Sequence, residues 1–179
     1  MEIKSILDNK ILGSAGAFVL TLVFILLEHF NGGVITHHLL AREDLPGISN
    51  WWGLVTIPLL TWVVMSLINV RRDKTPEPTN LGDDTKILKH FLTALLFGIV
   101  ASILWEFRLA DILQYFILLP ILIAFFKPVH LPEFLLGFVI GMSYTFGGIL
   151  PIIVGTVLVV ICFLVNKLVG AVKNIFIKN

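Results

Sequence analysis

From residue 134 to residue 166 the chain runs for 33 residues without an Asp, Glu, Lys or Arg. A helix needs about 20 mostly apolar residues to cross a hydrocarbon layer of about 30 Å. This run is too long for one crossing, and Gly147-Gly148-Ile149-Leu150-Pro151 in its middle is a turn signal. It therefore splits into two helices. Four more uncharged runs precede it, at residues 11–27, 45–70, 90–105 and 112–126. Soluble domains average about 45–50% apolar and about 25% charged residues. Here the values are 57% and 14%, which excludes a water-soluble globule and, equally, a disordered chain.

The expected fold class is an all-α integral membrane protein forming one transmembrane domain over residues 1–179. Six transmembrane helices, near 11–30, 51–70, 88–107, 110–127, 132–147 and 150–170, form three αα-hairpins. The first is expected to be retained rather than cleaved, because no A-x-A-like site follows it, only Glu28-His29-Phe30-Asn31. Lys and Arg concentrate on the cytoplasmic side of membrane proteins. With both termini cytoplasmic, the inner segments hold 11 of the 13 basic residues, leaving Arg42 and Arg108 outside. The expected location is the cell's cytoplasmic (inner) membrane, multi-pass. Residues 71–86, with Pro76, Pro78 and Gly82, read as a solvated inner linker.

Small residues recur every fourth position in three helices: Gly13, Ala17 and Thr21; Ala94, Gly98 and Ser102; Gly137, Gly141 and Thr145. Such stripes let backbones approach closely where lipid provides no hydrophobic drive between helices. The first, third and fifth helices are therefore expected to pack together and to bring their outer ends side by side. The other three helices carry Pro58, Pro120 and Pro151.

Those outer ends carry Glu28-His29 and Glu106, and the outer loop 31–50 adds His37, His38, Arg42, Glu43 and Asp44. Residues 34–45 are expected to form a short interfacial helix with Ile35, Leu39 and Leu40 toward lipid. Imidazole and carboxylate are the ligands that borderline divalent metals prefer. His29, His37, His38 and Asp44 are the candidate ligands of a divalent metal, zinc above all. Glu28 or Glu106 would be the general base, with metal-bound water as nucleophile. Arg42, Arg108 and Tyr144 would bind an anionic substrate. The spacing matches no established metal motif, H-E-x-x-H included.

Trp51, Trp52 and Trp105 read as an interfacial aromatic belt. His90 and His130 read as inner-boundary residues, and Asn69, Gln114 and Asn166 as helix-to-helix hydrogen-bonding groups. Neither a P-loop nor G-x-G-x-x-G is present, so no nucleotide cofactor is expected. A net charge of +1 gives no reason to expect a nucleic-acid partner. Cys162 is the single cysteine and cannot form an internal disulfide. The leading functional expectation is a metal-dependent membrane hydrolase or transferase acting on a lipid or lipid-linked substrate at the outer face. The alternatives are a small transporter or channel for a metal ion or small solute, built as a homo-oligomer, and a non-catalytic subunit of a membrane complex. Membrane lipids are the expected partners throughout.

Overall fold

The structure, a computed structural model, describes residues 8–38, 44, 46–74 and 81–177, with the side chains of residues 38, 81–83, 176 and 177 outside that set. In chain order the elements are α1 (Lys10–Phe30), β1 (Thr36–His38), β2 (Gly47–Ser49), a 3-10 turn (Asn50–Trp52), α2 (Gly53–Asp73), α3 (Leu81–Glu106), α4 (Ala110–Phe116), α5 (Leu119–Ala124), α6 (Pro132–Phe146) and α7 (Ile149–Ile177). Among the described residues, the helices containing α1, α2, α3 and α7 are each long and apolar enough to cross a membrane. Large apolar side chains such as Phe18, Val55, Leu96 and Leu164 point outward from them. In water such a surface would aggregate, whereas in hydrocarbon it meets its own solvent. The protein is thus a helical membrane protein.

The short α6 is the most buried helix, with Leu136, Gly137, Phe138, Val139, Gly141 and Met142 all enclosed. Its small-residue stripe lies on that of α3. A Cβ added to Gly98 would stand 2.6 Å from the Phe138 carbonyl oxygen, and Cβ atoms on Gly137 and Gly141 would overlap the carbonyls of Phe91 and Leu95. The two backbones therefore approach as closely as glycine permits. Ser102 Oγ donates to the Gly141 carbonyl across this seam at 3.2 Å.

The stripe of α1 goes elsewhere. Thr21 lies against Gly53 of α2, and a Cβ on Gly13 would overlap Met65 Sδ. Gly53 and the flexible Met65 offer α1 its matching close surface on α2, so the first helix is bound there rather than to α3.

Pro120 interrupts the expected fourth span. Its ring nitrogen has no hydrogen to give the Phe116 carbonyl, and its ring clashes there. The chain makes tight turns instead, with Leu118 N bonding Tyr115 O and Ile121 N bonding Leu118 O. The result is two short helices, α4 and α5, where one of 110–127 was expected. Pro58, by contrast, lies within a continuous α2, and Pro151 falls in the first turn of α7, where its missing N–H costs little.

The outer loop also departs from expectation. In place of an interfacial helix starting at 34, residues 36–38 form an antiparallel ladder with 47–49, pairing Thr36 with Ser49, His37 with Ile48 and His38 with Gly47. The run Val34-Ile35-Thr36 is β-branched and favours extended backbone. Gly32 and Gly33, at φ 124° and 110°, reverse the chain into it.

Candidate functional site

The residues expected to form an outer site lie at the end of the bundle that carries Trp51, Trp52 and Trp105. Glu28 is engaged there as a structural tie: Asn50 Nδ2 donates to its Oε1 at 2.7 Å, and Ile35 N donates to its Oε2 at 3.3 Å. Asn50 is buried and fills the space beside Gly147, whose φ of 65° ends α6. His37 is half-buried, 6.0 Å from the Phe146 ring, and bonds the Thr145 backbone. Burial lowers its pKa below the usual imidazole value, against the opposing pull of Glu28. His29 is exposed and edge-on to Phe30. Glu106, Arg108 and Asp44 are exposed, and Tyr144 is half-exposed against Phe24 at 5.5 Å. Arg42 and the side chain of His38 lie outside the described residues. Among the described residues no three His, Cys, Asp or Glu side chains come together as a metal site. Glu28 and His37 are the two expected site residues that the structure brings near each other.

A denser constellation sits at the opposite, basic end. Glu133, in the first turn of α6, is 1% exposed. Arg71, from the last turn of α2, donates through Nη2 to both of its oxygens at 3.0 and 3.1 Å. His90 of α3 places Nδ1 3.2 Å from Glu133 Oε1. Its ring stacks on Phe134 at 4.6 Å and 22°. A carboxylate this deep needs compensation, and it has the guanidinium, the imidazole and the positive end of α6. Beside it Arg72 pairs with Asp8 at 2.6 Å and lies 3.3 Å from the buried Asp84, close enough for charge attraction but without an aligned hydrogen bond.

His90 also lines a cavity of about 410 Å³. Phe97 of α3, Pro120 and Ile123 of α5, Phe134 and Phe138 of α6, and Leu158 and Cys162 of α7 contribute to its wall, as does Lys127 just past α5. The cavity has a structural cause. Glycines commit α3 to α6, while α5 is tied to α7, where Asn166 Nδ2 donates to the Ala124 carbonyl at 3.2 Å. The seam between these two pairs is left unfilled. From His90 to Phe97 it follows seven residues of α3, about 10 Å at 1.5 Å per residue.

Sequence reasoning missed this end. Glu133 is the last charge before the long uncharged run, His90 read as a boundary residue, and Arg71 read as linker. Glu133 lies 43 residues from His90 and 62 from Arg71, so local spacing holds no trace of the cluster. The usable signal was Glu133 itself, an acid one residue past a proline at the very start of a span. Comparison with protein-family models, curated proteins and solved structures found no match to this chain.

Proposed function

We propose that this protein is a membrane-embedded enzyme acting on a lipid held in the cavity between the α3–α6 and α5–α7 pairs, with His90 as its acid–base group. One observation carries the reading: the same imidazole lines an apolar cavity and is bonded to a buried carboxylate. A carboxylate only accepts hydrogen bonds, so in the neutral ring an ionised Glu133 sets the His90 proton on Nδ1 and leaves the lone pair on Nε2. Nε2 can take the proton of an attacking hydroxyl, from water or a second substrate, and return it to the oxygen that leaves. This is hydrolase or transferase chemistry. Glu133 fixes the tautomer and Arg71 holds Glu133, so both are positioning residues. The Phe134 stack limits rotation of the ring.

The lipid-directed enzyme expected from sequence is kept, and its site moves to the basic end. The zinc that His29, His37, His38 and Asp44 would hold is a separate proposal, with no converging ligand set among the described residues. The 11-to-2 distribution of Lys and Arg supports six crossings with the basic end facing the cytosol.

The test is turnover of single-chain lipid esters by the full chain in nanodiscs, read by mass spectrometry. Wild type forms product, and His90→Ala loses about 100-fold or more, the usual contribution of a positioned acid–base group. Glu133→Gln keeps partial activity with a displaced pH profile. Equal turnover by wild type and His90→Ala, or none by wild type, overturns the reading.

A further inference from the structure

We propose that the cavity takes a single-chain lipid with an anionic head, seated by Lys127, Lys167 and His130. The proposal rests on the cavity being the binding site and adds what the ligand must carry. Lys127 lines the cavity. Three residues on, the His130 ring meets Phe163 edge-on at 5.3 Å, and Lys167 Nζ stands 5.6 Å from the centre of the same ring. Phe163 follows Cys162, which lines the cavity wall. One aromatic side chain thus gathers an imidazole and an ammonium, and the chain segments that carry them also line the cavity, through Lys127, Pro128 and Val129 on one and Val159 and Cys162 on the other.

The charge there is unbalanced. Glu133 is taken by Arg71 and His90, and Asp84 lies beside Arg72. Among the described residues no carboxylate stands within ion-pair distance of Lys127 or Lys167. His130 Nδ1 is buried without a hydrogen-bond partner, and burial together with Lys167 lowers the His130 pKa below the usual imidazole value. A cation on the lining of an apolar space, with a second cation and an unsatisfied imidazole nitrogen on the chain segments that line it, calls for an anion attached to a hydrocarbon. A carboxylate or a phosphate monoester supplies the acceptors. The volume is at the low end of ligand pockets, which run from about 300 to 1,000 Å³, and suits one chain rather than two.

The experiment measures binding, not turnover, so it stands apart from the catalytic test. Full-length protein in phosphatidylcholine nanodiscs is titrated with radiolabelled palmitate, with palmityl alcohol, dodecyl phosphate and inorganic phosphate as competitors. Palmitate and dodecyl phosphate are expected to compete, the alcohol at least tenfold more weakly, and inorganic phosphate not at all. Lys127→Ala/Lys167→Ala weakens palmitate about tenfold and leaves the alcohol unchanged. Leu158→Trp fills the cavity and abolishes both ligands; Cys162→Phe fills the same space should Leu158→Trp not fold. Alcohol binding as tight as palmitate, or an indifferent lysine double variant, overturns the anionic seat while the cavity stands. Undiminished palmitate binding by the filled variants overturns the cavity reading itself. Competition by inorganic phosphate equal to that of dodecyl phosphate marks a site for free anions and overturns the lipid.

Discussion

At the scale of single residues, the histidines are held in different ways. His90 is bonded to Glu133, whereas His37 and His130 are set in places that disfavour their charged forms. Their pKa values lie below the usual 6.5, for His37 through burial against the opposing pull of Glu28, and for His130 through burial and then Lys167. A base whose folded pKa is lowered gives stability that is fully present above its unfolded value and is lost as pH falls through the folded one. The melting temperature of the purified protein is therefore expected to drop as pH is taken from 7.5 to 5.5. His37→Gln and His130→Gln should each flatten that drop. A melting temperature that rises on acidification would contradict the assignment.

At the scale of elements, the α3–α6 seam is set by glycine. Gly141→Ala must push a methyl into the Leu95 carbonyl and is expected to destabilise by about 1–3 kcal/mol, the usual range for overpacking. Gly16→Ala on α1 meets nothing within 4 Å and should be neutral or slightly stabilising, since alanine is the better helix former. Thermal unfolding in one detergent compares the two directly. This seam was legible in the sequence because its cause is local: glycines four apart lie on one face in any helix. The break at Pro120 was less so, because Pro58 has the same chemistry and lies within an unbroken helix. What separates them is tertiary support, and periodicity does not report it. The β1–β2 hairpin was missed because a short run with two histidines reads equally as strand or helix until its partner, 11 residues on, is known. The Arg71–Glu133–His90 cluster was hidden for the same reason at longer range, since three helices must be placed before it exists.

At the scale of the whole molecule, Trp51, Trp52 and Trp105 stand at one end and Arg71, Arg72 and Lys127 at the other, which gives the topology a direct test. In a Cys162→Ser background, Lys86→Cys should react with a membrane-impermeant maleimide only after cells are opened, and Trp51→Cys should react in intact cells. The reverse pattern would invert the orientation. The central helix bears on how the protein meets its surroundings. At 15 residues α6 is about 22 Å long, against about 30 Å for the hydrocarbon layer. Its ends are met by polar groups, Asn50 and Glu28 at one and Arg71, His90 and Glu133 at the other. An apolar stretch this much shorter than the layer is accommodated by a thinned bilayer or by cover from neighbouring chain, and the longer helices α2, α3 and α7 packed against α6 supply that cover.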